Sequence, residues 1–342
     1  MAAMIVDNSR RGLNLLGHGG DLGVARRLFP QAPEPFIDLS TGINPRSYPL
    51  PPTPPEALMR LPEAGSLHRL AEVAADAYGA PSAACVVPTP GTQLLLPLVA
   101  ALVSPGHAGI LAPGYAGHAR SAALANHAVV ETATLDELAS VNLALLSNPN
   151  NPDGRLLMRQ SLLALAAELG RRGGLLVVDE AFMDVGPPGA SLAGDVENAN
   201  IVVLRSFGKF FGLAGLRLGF ALTRPDLAAD LRARLGPWAV SGPALTIGLT
   251  ALADKPWASA TRVDLAAAAI RLDQILLSAG LEIVGGTSLF RLVHTAHAPQ
   301  LFDFLGRAGI FVRRFRARPT WLRFGLPGSD DAWNRLRTAL ES

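Results

Sequence analysis

The chain has 342 residues, of which 49% are hydrophobic and 17% charged. That balance suits one large or two moderate globular domains and excludes a disordered chain. The formal net charge is only +2 and no block of like charge occurs, which removes the electrostatic footprint of a nucleic-acid binder.

Along the chain, the first twenty residues lack the long apolar core of a secretion signal. Up to residue 60 the sequence is irregular, with the proline-rich patches "FPQAPEPF" and "YPLPPTPP", and reads as an arm and a leading loop. A helical period begins in "SLHRLAEVAADAYG", with Ser66 as the expected N-cap and Gly79 as the stop. Cys85, the only cysteine, rules out an internal disulfide, and the usual zinc spacings are absent. The most apolar run, residues 94–103, is about half a membrane span and contains a proline. A soluble cytoplasmic protein is expected.

From residue 83 onward, short apolar runs alternate with helical patterns. "ACVVP", "GILAP", "LALLSNP", "GLLVVDEA", "NIVVLRSF" and "LGFALT" read as buried strands, with a helix over 158–172. Alternation of this kind predicts an α/β domain with a mostly parallel, mixed sheet flanked by helices, over 46–240. The remainder, 241–342, reads as a smaller α+β domain, with residues 1–45 as an N-terminal arm contributing to that domain and to the active site.

Polar and glycine-rich residues gather at the expected carboxyl ends of the strands, where sheets of this kind bind ligands. "TPGTQ" (89–93) opens a helix and suits an anion, or is an ordinary loop. "SNPNNPDG" (147–154) is turn chemistry, or it offers an asparagine to a ligand. "VVDEAF" (177–182) ends a strand with two carboxylates, which need a cation, a metal or a ligand nitrogen. No phosphate-binding "GxxxxGK[ST]" occurs, so a P-loop is excluded. "SFGKFFGLAGLRLG" then places Ser206, Lys209 and Arg217 among close glycines. Only two lysines occur, Lys209 and Lys255, against twenty-eight arginines. A desolvated amine can lose its proton and attack a carbonyl, which guanidinium does not do. Lysine at 209 therefore points to amine chemistry.

Taken in order, these motifs resemble the fold type I aminotransferase superfamily, which uses pyridoxal 5′-phosphate (PLP), over roughly residues 36–340. The resemblance implies that Lys209 bonds the cofactor covalently and is the catalytic residue. It implies that Ser206 and Arg217, helped by Thr92 and Gln93, hold the phosphate. Asp179 would pair with the ring nitrogen, Asn151 with the 3′ oxygen, and Tyr115 in "PGYAGH" would stack on the ring. No metal is implied. The chain is similar to the branch holding histidinol-phosphate aminotransferases and the threonine-phosphate decarboxylases of cobalamin synthesis. "HGGDLGVARRLFP", "IDLSTGINP" and "WLRFGLPG" resemble the decarboxylases more. The implied reaction converts L-threonine O-3-phosphate to (R)-1-amino-2-propanol O-2-phosphate and CO2. Arg323 matches the arginine that grips the α-carboxylate, with Asn44 nearby. His18 and Arg313 are candidates for the substrate phosphate. Two departures stand out: Phe182 replaces a tyrosine, and Leu61 replaces a tyrosine that reaches the other subunit. A homodimer remains the expectation. The alternatives are an aminotransferase of the same fold and a non-catalytic binding protein that has kept it.

Overall fold

The computed structural model of the protein describes residues 19–341. It falls into two compact units, Arg46–Asp264 and a smaller one joining residues up to 45 with those from 265 onward. Among the described residues no helix is long and apolar enough to cross a membrane.

Strands are numbered along the chain. β1 (Ile37–Leu39) belongs to the smaller unit. The larger unit contains β2 (Val86–Thr89), β3 (His107–Leu111), β4 (Ala128–Thr132), β5 (Leu143–Ser147), β6 (Leu175–Asp179), β7 (Ile201–Ser206) and β8 (Gly219–Leu222). They form one sheet in the order β2-β8-β7-β6-β5-β3-β4. β8 runs antiparallel to both neighbours, and the other pairs are parallel. Every residue of β5 and β6 is buried, which explains their unbroken apolar runs: helices on both faces leave no solvent side to alternate toward. Leu96 and Val99 of the helix Thr92–Ala100 pack into one core with Leu145, Val177, Val202 and Leu204.

The helix before β2 spans Ala64–Tyr78 and ends on Gly79, whose φ of 74° is the left-handed cap glycine favours. Its N-cap is Glu63, so Ser66 lies inside the first turn and does not cap it. β4 had no counterpart among the strands expected from sequence. It is the sheet's outer strand, and only Thr132 is buried.

The smaller unit adds β9 (Glu282–Thr287), β10 (Phe290–His294), β11 (Ile310–Phe315) and β12 (Arg318–Gly325), in the order β1-β11-β12-β10-β9. β1 joins this sheet parallel to β11, so residues 37–39 pair with 310–312 from the far end of the chain. Residues 241–264, expected from sequence in the C-terminal domain, group with the larger unit. The cause is packing: the helix Gly242–Ala253 lies against Ala64–Tyr78, with Gly248 close to Leu70 and Leu218.

Candidate active site

The carboxyl ends of β5, β6 and β7 open onto a cavity of about 170 Å³ in the larger unit. The helix Thr92–Ala100 begins at its wall, and the backbone N–H groups of a helix start suit an anion. Thr92, Ser206 and Arg217 line the cavity. Gly91 has φ 86°, and a Cβ there would sit 2.7 Å from an Arg217 Nη atom. Glycine at 91 thus leaves the room that the guanidinium takes. Arg217 itself has φ 54° and donates from Nη1 to the Ala214 carbonyl at 3.2 Å. Gly219 is closed in the same way, since a Cβ would lie 2.9 Å from the Thr92 nitrogen.

Asp179 also lines the cavity and is 8% exposed. Its Oδ1 accepts from the Ala181 N–H at 3.1 Å, and its Oδ2 lies 3.2 Å from His118 Nε2. His118 is 1% exposed, and the Tyr115 ring meets its imidazole edge-on at 5.4 Å. Sequence reasoning did not single out His118. Its signal was the spacing in "PGYAGH", which sets His118 one turn on from Tyr115 at the start of the helix Ala116–Leu124.

The turn chemistry of "SNPNNPDG" is carried by two of its asparagines. Asn148 Oδ1 accepts from the Leu157 N–H at 2.8 Å, and Asn150 Nδ2 donates to the Pro113 carbonyl and Asp153 at 2.8 Å each. These two build the turn, while Asn151 lines the cavity. Tyr115 and Gln93 line it as well, and the Tyr115 hydroxyl donates to Gln93 Oε1 at 2.6 Å. Gln93, expected to help hold an anion, therefore also orients Tyr115.

Lys209 lies on the short helix Phe207–Phe210 and lines the cavity. Its ammonium is 5.9 Å from the centroid of Phe182, a buried ring. The residues around it form an aromatic cluster. Phe207 stacks on Phe211 at 4.3 Å, Phe211 stacks on Trp257 at 5.5 Å, and Tyr48 meets Trp257 edge-on at 4.9 Å. Contacts of this kind contribute about 0.5–1.5 kcal/mol each beyond their buried area.

The second carboxylate of "VVDEAF" points elsewhere. Glu180 is fully buried, accepts from Ser191 Oγ at 2.6 Å and the Leu192 N–H at 2.8 Å, and pairs with Arg205 at 3.2 Å. Arg205 also binds Asp184 at 2.6 Å and lies over the Tyr78 ring at 4.4 Å. Burial pushes Glu180 above the usual carboxylate range, against the pull of Arg205. Burial opposes the Arg205 charge too, but Asp184 and Glu180 outweigh it and raise its pKa. No group of three or more His, Cys, Asp and Glu side chains among the described residues is placed to hold a metal.

Arg323, Arg313 and Asn44 belong to the smaller unit, and His18 lies outside the described residues. Arg323 and Arg313 are direct partners across β11 and β12. Arg323 is buried, donates to the Ser40 carbonyl at 3.1 Å and lies over the Phe290 ring at 5.0 Å. Burial, reinforced by the Arg313 charge and offset in part by Asp38, pushes its pKa down to about 9. Asn44 is buried.

A seven-stranded mixed sheet with a lysine, an aspartate and a helix start gathered at its strand ends defines a class, and the comparison with known families agrees. The chain belongs to the aminotransferase class I and II family, whose model matches residues 59–340. It is 42% identical to a threonine-phosphate decarboxylase of Pseudomonas aeruginosa, over 95% of this chain and 97% of that one. It is 43% identical to one from Sinorhizobium sp, over 94% and 97%. A histidinol-phosphate aminotransferase of Mycobacterium bovis is 34% identical over 75% and 72%. Among solved structures, the histidinol-phosphate aminotransferase of Sinorhizobium meliloti in complex with pyridoxal-5′-phosphate shares the fold, with a TM-score of 0.79 and 21% identity over 98% of each chain.

Proposed function

We propose that the protein is a PLP-dependent decarboxylase that converts L-threonine O-3-phosphate to (R)-1-amino-2-propanol O-2-phosphate and CO2, in cobalamin synthesis. The observation that carries this reading is the likeness to two threonine-phosphate decarboxylases along nearly the whole chain, against a shorter and weaker match to the aminotransferase.

The cavity suits PLP on its own chemistry. A helix start with the Arg217 guanidinium packed against Gly91, an oriented carboxylate at Asp179 and the Lys209 amine all line it. Thr92, Ser206 and Arg217 would hold the phosphate, Asp179 the ring nitrogen, Asn151 the 3′ oxygen, and Tyr115 the ring face. Bound there, PLP supplies an electron sink for the pair released when a bond at the substrate Cα breaks.

The remaining work falls to the chain's own side chains. His118 and the Ala181 N–H hold Asp179 in one orientation, and an acidic partner keeps a ring nitrogen protonated. Lys209 anchors the cofactor and delivers the proton that Cα gains after CO2 leaves. Arg323 and Asn44 are the candidates for the substrate carboxylate, and Arg313 and His18 for its phosphate. A tight bidentate grip on the departing carboxylate would oppose its loss, so the phosphate contacts set the orientation. The protein acts as a homodimer on a small amino-acid phosphate.

The test offers purified protein with PLP two substrates in parallel: threonine phosphate alone, and histidinol phosphate with 2-oxoglutarate. Release of CO2 from the first, with no glutamate from the second, is expected. Glutamate formation without CO2 release would sink the decarboxylase reading in favour of the aminotransferase.

A further inference from the structure

Ser147 is the last residue of β5 and pairs in register with Asp179 on β6. Register partners in a parallel pair project to the same side of the sheet, and both residues line the cavity. Ser147 is 4% exposed, and its hydroxyl oxygen is buried without a hydrogen-bond partner among the described residues. Asp179, the nearest strand neighbour, has one carboxylate oxygen on Ala181 and the other on His118. A desolvated hydroxyl is disfavoured until something pairs with it. The group that fills the cavity is therefore its partner.

The neighbours say which atom that is. Asp179, its register partner, and Asn151 line the same cavity as Ser147, and Phe182, which also lines it, carries no hydroxyl. On the reading of the cavity as a PLP site, the ring nitrogen is matched to Asp179, which is acceptor-only when ionised. The polar atom left on that edge of the ring is the 3′ oxygen. We propose that Ser147 is a further cofactor-binding residue, whose hydroxyl donates to the 3′ oxygen beside Asn151. This inference rests on the PLP assignment and adds a donor that the motifs did not reveal.

The test titrates PLP into the apoprotein, wild type, Ser147→Ala and Ser147→Thr, and follows the visible absorbance and its pH midpoint. Loss of one hydrogen bond to a charged oxygen should weaken PLP binding by about 10- to 100-fold in Ser147→Ala. Its midpoint should move to higher pH, because a donor favours the ionised form of the oxygen it reaches. Ser147→Thr should stay close to wild type in both. The apoprotein melting temperature of Ser147→Ala should be unchanged or higher, since the hydroxyl has no partner to lose there. Wild-type affinity and midpoint in Ser147→Ala would overturn this inference alone, as would an apoprotein made less stable with an unmoved midpoint. Absence of any visible band in the wild type would overturn the PLP assignment and this inference with it.

Discussion

Replacing Lys209 with arginine is expected to leave the protein folded but unable to form a coloured complex with PLP. Decarboxylation should fall by at least about 10³-fold, since loss of a proton-transferring group alone costs roughly 10²–10⁴-fold and loss of the covalent anchor adds to it. The substitution keeps the cation and its approach to the Phe182 ring but replaces the nucleophilic amine with a group that stays protonated. Stability should hold because the helix Phe207–Phe210 is fixed by Phe207, Phe210 and their aromatic neighbours. Absorbance spectra and thermal unfolding of the two proteins check both halves. Survival of the yellow species in the variant would falsify the assignment of Lys209.

The second large effect concerns a residue outside the cavity. Arg205→Met should destabilise the protein by about 3–5 kcal/mol, because it leaves two buried carboxylates without their cation. The loss should depend on pH in a definite direction. Burial already holds Glu180 above its ordinary pKa, and Arg205 opposes that rise, so removing Arg205 raises it further. A carboxylate with a raised folded-state pKa binds more protons folded than unfolded. Its contribution is therefore most favourable below the unfolded value and is lost as pH rises from there through the folded value. Thermal unfolding of Arg205→Met and wild type at pH 5 and pH 7 should show a smaller gap at pH 5. An equal gap at both would mean that the carboxylates remain charged without their partner.

Much of the site could be read in the sequence because strand ends, glycine turns and a lone lysine are local features. Chain order alone placed Thr92, Asn151, Asp179, Ser206 and Lys209 at strand ends and turns, and all five line one cavity. What stayed hidden depends on register or on distant partners. Nothing near Ser147 says that it pairs with Asp179, since that follows from how β5 aligns with β6. "VVDEAF" shows two carboxylates, but which one faces the ligand depends on Arg205, Ser191 and Leu192. Arg313 and Arg323 meet only through the pairing of β11 with β12. β4 escaped notice because an outer strand facing solvent lacks the apolar run that marked the others. The domain limit at 240 missed the packing of Gly242–Ala253 on a helix far earlier in the chain.

The aromatic cluster beside Lys209 also gives the protein an optical probe of its own. Trp257 stacks on Phe211 and meets Phe210, the residue next to Lys209. Its emission should be quenched by energy transfer to a chromophore bonded at that lysine. The difference in fluorescence between wild type and Trp257→Phe would isolate this indole from the other three tryptophans. Occupancy of the lysine could then be followed in real time, without substrate and without a label.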